Sequence, residues 1–143
     1  MQVISFGLEK ISVEKKAQFS NEDKIQNNIK IKDIESSNLK IGDEERPALT
    51  VYFEFIVNYS NAGKLELNGF LICHDNNAEL IKKHINEWKV EKKTNPEFHA
   101  SIYNHIIRRA SVKALELEEM VGLPLHMTFP IISAKPTNQE NQS

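Results

Sequence analysis

Apolar and polar residues alternate along two early stretches of the chain, a period of two that is typical of strands with one buried face. The first stretch covers roughly residues 2 to 13, and Gly7 within it predicts a bulge. The second covers residues 26 to 34, where isoleucines alternate with lysines. We therefore expect two strands in the first quarter of the chain, of which the second is half-buried.

The clearest strand pattern lies further along, where residues 50 to 59 read TVYFEFIVNY. Residues 60 to 63 form a short, turn-rich connection to another alternating stretch over residues 64 to 73, so the two stretches predict a β-hairpin. The bulkier face of the first strand is the candidate core: Val51, Phe53, Phe55 and Val57. Tyr52 and Ile56 lie on the opposite face, so this strand carries apolar residues on both sides.

After residues 75 to 77, the spacing of apolar residues changes to that of helices. A short amphipathic helix is expected around residues 80 to 88 and a longer one over residues 95 to 121, which Thr94 or Asn95 can cap. The apolar residues of the longer helix form one stripe: Phe98, Ile102, Ile106, Ala110, Ala114, Leu117 and Val121. Polar residues lie away from this stripe: Ser101, Arg108, Ser111 and Glu118.

The segment after the long helix is apolar but interrupted by prolines. Gly122 ends the helix, and Pro124 and Pro130 favour an extended chain that packs on the domain. Alternation then sends two sets of side chains to opposite sides: Leu125, Met127 and Phe129 to one, His126 and Thr128 to the other. Residues 135 to 143 are polar and are expected to form a disordered tail.

Strands precede helices along the chain, without the alternation that indicates a parallel sheet, so the expected fold class is α+β. A length of 143 residues allows one compact domain, which we place at residues 1 to 134.

Composition and charge exclude several classes of function. The net charge of −2 provides no overall basic field for nucleic acid, and no apolar run approaches the roughly 18 to 20 residues of a membrane helix. We therefore expect a cytoplasmic protein without nucleic-acid or membrane partners. Cys73 is the single cysteine, which excludes an intrachain disulfide and favours a buried structural thiol.

No group of residues indicates catalysis, a metal or a cofactor. The five glycines are too dispersed for a phosphate loop, and the five histidines form no HExxH motif. The carboxylates at positions 43 to 45 are expected in a solvated loop. Five basic residues form either a local basic patch or ordinary charged helix faces: Lys89, Lys92, Lys93, Arg108 and Arg109.

Apolar surface is the remaining candidate for function. A single sheet face suffices for the core, yet Tyr52, Ile56 and the segment after Gly122 add further apolar residues. Self-association and a groove for client polypeptides both explain this surplus. Both can hold in one protein, because a strip lined by Met and Phe adapts to varied apolar segments.

Three motifs resemble the SecB family of export chaperones, and the resemblance covers residues 3 to about 132. They are the opening strand with ISFGLEKISVE, the hairpin VYFEFIVNYSNAGKLELNGFLI, and LPLHMTFPI after Gly122. Pro124 and Pro130 look like the family's two prolines that bracket an apolar segment. The resemblance implies an antiparallel four-stranded sheet with helices packed on one face, assembled as a homodimer or homotetramer.

The resemblance also implies an ATP-independent holdase that binds unfolded, partly folded or nascent polypeptides. The residues expected to contact clients are Leu123, Leu125, Met127, Phe129, Tyr52 and Ile56. A chaperone dedicated to a toxin–antitoxin pair is a related version, and a non-enzymatic interaction protein with one partner is the alternative class. An enzyme of small metabolites ranks third, because the sequence shows no cofactor loop and no paired acid and base.

Overall fold

A computed structural model describes residues 1 to 128. The expected domain boundary at residue 134 and the expected tail lie outside the described residues. The elements, in chain order, are β1 (Gln2–Lys15), β2 (Gln26–Ile41), β3 (Glu44–Asn58), β4 (Gly63–His74), α1 (Ala78–Glu91) and α2 (Pro96–Val121).

The four strands form one antiparallel sheet in the order β1-β4-β3-β2. Residues 16 to 25 carry the chain from β1 to β2 at the opposite edge, and two successive hairpins then bring it back beside β1. The expected α+β class with an antiparallel four-stranded sheet is confirmed. β1 and β2 are therefore the two edge strands, each paired on one side among the described residues.

Strands β2 and β3 extend further than the sequence pattern predicted. They form a ribbon that projects beyond the last β3–β4 pair, and Ile41 pairs with Glu44 at its tip. Glu44 and Glu45 were expected in a loop, but they are exposed residues at the start of β3. The alternation fails here because the ribbon reaches past the helices, so neither of its faces needs apolar side chains.

Strand β1 contains two irregularities, between Val3 and Ser5 and between Leu8 and Lys10. The bulge expected at Gly7 is therefore wrong, since Gly7 pairs regularly with Phe70. A Cβ atom on Gly7 would lie 2.6 Å from Cζ of Phe70. The glycine is needed there because an aromatic ring lies directly against the backbone of β1.

One face of the sheet forms the core. The odd-numbered residues of the central hairpin are buried on it, from Leu49 to Val57 and again in β4, as the sequence predicted for β3. Helix α1 packs on β2 and β3, and α2 packs on β1 and β4, so both helices cover this face. No helix in residues 1 to 128 is long and apolar enough to cross a membrane.

Both helices begin and end at capping residues. Asn95 accepts hydrogen bonds from the backbone N–H groups of Glu97 and Phe98, with Pro96 in the first turn. Gly122 ends α2 in the left-handed conformation at φ 76°, where a side chain would be strained. Asn77 caps α1 in the same way as Asn95 caps α2. The predicted start and end of α2 are confirmed, and α1 begins directly after residues 75 to 77, as expected, and extends to Glu91.

We predict that Gly69→Ala destabilises the protein by about 1 to 3 kcal/mol, the usual cost of overpacking. The added methyl would overlap the Gly7 carbonyl oxygen and lie 2.9 Å from Cζ of Phe53. Urea unfolding measures the change, and Ser5→Ala on the exposed surface of β1 is the control, expected within about 0.5 kcal/mol of wild type. Equal midpoints for Gly69→Ala and wild type would contradict the close approach of β1 to β4.

Candidate functional site

An apolar groove of about 460 Å³ lies on the helix-covered side of the sheet, between the edge strand β2 and helix α2. It exists because α2 lies over β1 and β4 while α1 covers only part of β2 and β3. Its apolar lining consists of Ile29, Phe55, Tyr103, Ile107 and Met127. The groove opens beside a strand edge, where a bound extended chain can also reach backbone groups.

Tyr103 connects the two sides of this groove. Its hydroxyl donates a 2.7 Å hydrogen bond to the carbonyl oxygen of Ile29, which lies on the free edge of β2. The His99 ring stacks on Tyr103 with centroids 4.2 Å apart, and Thr94 Oγ1 lies 2.9 Å from Nδ1 of His99. The position of Tyr103 is therefore determined by contacts from both the strand and its own helix.

A second cavity of about 370 Å³ lies on the other side of Tyr103, next to the end of α1, and Tyr103 lines both cavities. Ile31 and Trp88 supply its apolar surface, and Lys92 and Lys93 are the basic residues of its lining. The indole Nε1 of Trp88 donates a 3.0 Å hydrogen bond to Asp33, which fixes the ring. Along β2, the groove is thus apolar at one end and basic at the other.

The opposite end of the groove is built on a buried carboxyl group. Glu118 has no exposed surface, and its Oε2 accepts a hydrogen bond from the hydroxyl of Tyr59. Its Oε1 accepts a 3.2 Å bond from the backbone N–H of His126 and lies 3.0 Å from Nδ1 of the same residue. Nε2 of His126 lies 3.2 Å from Oγ of Ser111. We call these four residues, Tyr59, Ser111, Glu118 and His126, the Glu118 cluster.

Burial is the main cause that raises the pKa of Tyr59, and the hydrogen bond to Glu118 and the charge of that carboxyl group add to it. The phenol therefore stays protonated and remains the donor. Nδ1 of His126 lies within hydrogen-bond distance of both carboxyl oxygens of Glu118, at 3.0 and 3.1 Å. The cluster thus holds residues 123 to 128 against α2 and places Met127 at the wall of the groove.

The sequence placed Ser111 and Glu118 away from the buried stripe of α2. In the structure Ser111 is 7% exposed and Glu118 is fully buried, so the expectation that they lie outside the core is wrong. The segment after Gly122 turns back over this side of the helix and covers them. Helical periodicity carries no information about a segment that folds back, so this burial left no sequence signal.

The cluster contains the side chains of a catalytic triad in sequence of contact: Ser111 as nucleophile, His126 as base and Glu118 as the acid that orients the base. Acyl transfer also needs donors that stabilise an oxyanion. The backbone N–H groups around Ser111 lie in the interior of α2, where the helix uses each of them, so they cannot form such a site. The contacts that the structure shows for this cluster are hydrogen bonds that join α2 to the turn after β3 and to the segment after Gly122.

The residues expected to contact clients do not form one surface. Leu123 is 4% exposed and belongs to the core, whereas Leu125 and Met127 are 38% and 40% exposed. Phe129 lies outside the described residues. The alternation expected after Gly122 is seen only in part: Leu125 and Met127 are exposed and the His126 side chain is 2% exposed, but Thr128, expected on the same side as His126, is exposed.

Tyr52 and Ile56 lie on the other face of the sheet, which neither α1 nor α2 covers, and both are half-buried. Tyr52 pairs across the strands with Phe70, and Ile56 pairs with Glu66. Burial raises the pKa of Glu66, but hydrogen bonds from Lys10 and Asn68 outweigh it and leave this pKa below its usual value. A sheet separates these two residues from Met127, so one client segment cannot contact both places by lying flat on the protein.

Sequence reasoning missed Ile29, Tyr103 and Ile107 as members of a groove. A signal was present, because Tyr103 and Ile107 form a second row of apolar positions four residues apart, next to the main stripe of α2. The five candidate basic residues do not form one patch: Lys92 and Lys93 line the second cavity, whereas the guanidinium of Arg109 lies over Phe6, 4.7 Å from the ring centroid.

Cys73 is fully buried, as predicted, and burial raises its pKa to about 12. A thiol with this pKa is not a nucleophile at neutral pH. Within residues 1 to 128, no group of three or more His, Cys, Asp or Glu side chains is arranged to hold a metal ion.

Comparison with known proteins found no family model that matches the chain and no matching curated protein. Among solved structures, the fold is similar to that of a SecB-like chaperone from Mycobacterium tuberculosis, determined in complex with a peptide from an antitoxin. The two chains are 8% identical, with a TM-score of 0.48 over 94% of this chain and 92% of the other.

We predict that His126→Ala lowers the free energy of unfolding by about 1 to 3 kcal/mol, because Glu118 then keeps a buried oxygen that has lost a partner. The segment after Gly122 should also become accessible to limited proteolysis. Thr128→Ala is the matched control, since Thr128 is exposed in the same segment. If His126→Ala unfolds at the same urea concentration as the wild type and is cleaved at the same rate, the cluster does not hold the segment.

Proposed function

We propose that this protein is a non-enzymatic, ATP-independent holdase that binds apolar segments of unfolded, partly folded or nascent polypeptides. The observation that carries the proposal is the open apolar groove between β2 and α2. Its wall residues Ile107 and Met127 are 43% and 40% exposed, so they retain apolar area for a ligand to bury. The resemblance of the sequence motifs to the SecB family supports the same function.

The size of the groove suits this task. Complete burial of one aliphatic side chain contributes roughly 1.5 to 3 kcal/mol, and micromolar affinity corresponds to about 8 kcal/mol. Three or four client side chains in the groove therefore contribute about 4.5 to 12 kcal/mol before the entropy cost of association is subtracted, so the net binding is micromolar at its tightest. Such binding is weak enough for release without nucleotide hydrolysis.

The lining of the groove favours varied clients over a single one. Met127 has a flexible, polarisable side chain that fits differently shaped ligands. β2 is an edge strand, so an extended client can hydrogen-bond to its backbone whatever side chains the client carries. Both features favour the binding of extended apolar chains with low specificity for their sequence.

We further propose that the protein assembles as a homodimer or homotetramer. Strand β1 is the second sheet edge, and Ile4 and Ile11 on it are 39% and 51% exposed. A long edge with exposed isoleucines is a surface that soluble proteins normally cover. Tyr52 and Ile56 on the uncovered sheet face add to the apolar area that an assembly would bury.

We predict that Ile107→Ser weakens the binding of an apolar peptide about five- to tenfold, which corresponds to about 1 to 1.4 kcal/mol of lost apolar contact. Val112→Ser is the matched control, because Val112 is 59% exposed on the same helix and does not line the groove. Fluorescence anisotropy measures the affinity, and suppression of aggregation is tested on several unrelated clients without ATP.

Equal losses in the two variants would show that the groove is not the binding site. Protection of one client only would replace the general holdase with the alternative, an interaction protein that has one dedicated partner.

We predict that light scattering gives a mass of two or four times the chain mass of 16.4 kDa, because the exposed apolar residues of β1 favour a covered edge. A concentration-independent mass equal to that of one chain would contradict the assembly while leaving the groove proposal standing.

A further inference from the structure

The basic end of the groove is built by the last residues of α1. Lys92 caps this helix in the left-handed conformation at φ 56°, and its backbone N–H donates a 2.9 Å hydrogen bond to the carbonyl oxygen of Trp88. Its ammonium group lies 5.5 Å from the centroid of the Trp88 ring. The backbone from which Lys92 extends is therefore fixed, and Lys93 follows it directly at the mouth of the cavity.

The charges of these two lysines are not neutralised by direct ion pairs. Among residues 1 to 128, neither Lys92 nor Lys93 forms an ion pair with a carboxylate. Asp33, the acidic residue nearest to the Trp88 ring, already accepts hydrogen bonds from Trp88 and from the backbone N–H of Ile34. Two ammonium groups therefore remain available at the end of an apolar groove, although the whole chain has a net charge of −2.

Building on the proposed holdase function, we propose that the groove selects extended polypeptide segments in which a short apolar stretch is flanked by acidic residues. The apolar side chains lie against Ile29, Ile107 and Met127, and the carboxylates reach Lys92 and Lys93. Strand β2 spans about 13 Å from Asn27 to Ile31 at about 3.3 Å per residue. The matching apolar stretch therefore has about four or five residues, with the acidic flank immediately beyond it.

A polypeptide fits this surface better than a nucleic acid does. Most of the groove is apolar, whereas nucleic-acid sites are basic along their length and offer aromatic rings for base stacking. Only the end at Trp88 combines an aromatic ring with lysines. The ligand chemistry is thus apolar over most of its length and anionic at one end.

The test uses the full-length protein and two labelled peptides that share one five-residue apolar stretch. One peptide carries Asp and Glu at both ends and the other carries two lysines at both ends, so either chain direction can place a flank at Lys92. Anisotropy reports affinity, and emission from Trp88, the single tryptophan of the chain, reports whether the ligand reaches the basic end. At low salt the acidic peptide should bind about three- to tenfold more tightly, as expected for one or two exposed ion pairs.

Salt and charge reversal provide the controls. The preference should disappear at 1 M salt, where the screening length is about 3 Å. Lys92→Glu/Lys93→Glu should reverse the preference, and Lys93→Glu alone, outside α1, should reduce it while leaving the helix cap intact. Lys15→Glu/Lys16→Glu changes the net charge equally at the opposite edge of the sheet and should preserve the preference.

Each other outcome overturns the inference. Equal affinities of the two peptides, or an unchanged preference in Lys92→Glu/Lys93→Glu, would remove the acidic selectivity and leave the holdase proposal intact. Binding without a change in Trp88 emission would place the ligand elsewhere.

Two further outcomes would identify another occupant of the groove. Displacement of the peptide by single-stranded oligothymidylate would identify a nucleic-acid site, and dissociation of an oligomer by the peptide would identify a second copy of the chain as the occupant. Failure to bind either peptide or any unfolded client would defeat the holdase proposal as well.

Discussion

The structure depends on how one buried carboxyl group is satisfied. Glu118 lies at the end of α2, and its hydrogen-bond partners come from the turn after β3 and from the segment after Gly122. A carboxyl group without exposed surface is costly unless its oxygens are hydrogen-bonded. Tyr59 and His126 supply these bonds, so the helix end, the sheet and the last described residues are held in one arrangement. A change at any of the three alters the wall of the groove.

The groove itself results from a mismatch in coverage. A four-stranded sheet is about 19 Å wide at about 4.8 Å between strands, which is more than one helix of about 10 Å can cover. Helix α2 covers β1 and β4. The second helix, α1, has 14 residues and is about 21 Å long, whereas β2 has 16 residues and is about 53 Å long. Helix α1 is therefore too short to cover the whole of β2. The part of β2 and β3 that neither helix reaches forms the floor of the groove. The Glu118 cluster closes one end of it and the C-terminal turn of α1 forms the other.

This arrangement relates the proposed function to the charge of the protein. The apolar floor lacks directional groups, so it can accept varied sequences, and the edge of β2 adds backbone hydrogen-bonding groups. Charge at the rim of such a site affects the rate and selectivity of association more than the binding energy. The lysines at one end are thus suited to favour some apolar segments over others without making the site specific for one partner.

The sequence alone predicted those elements of the protein whose formation depends on interactions between residues close together in the chain. The hairpin of β3 and β4 followed from alternation, and α2 followed from one apolar stripe between Asn95 and Gly122, because the side chains that form these elements are close neighbours in the chain. The ribbon at the ends of β2 and β3 escaped prediction because both its faces are exposed and it therefore shows no hydrophobic pattern.

Only the tertiary structure decided the site. Tyr59 and Glu118 are 59 positions apart, and Ile29 and Tyr103 are 74 apart, so no local pattern indicates that they meet. Whether an apolar residue such as Leu123 is buried, or one such as Met127 is left partly exposed, depends on what folds over it. Local periodicity decides which residues form an element, and long-range packing decides which of its faces remain open for a ligand.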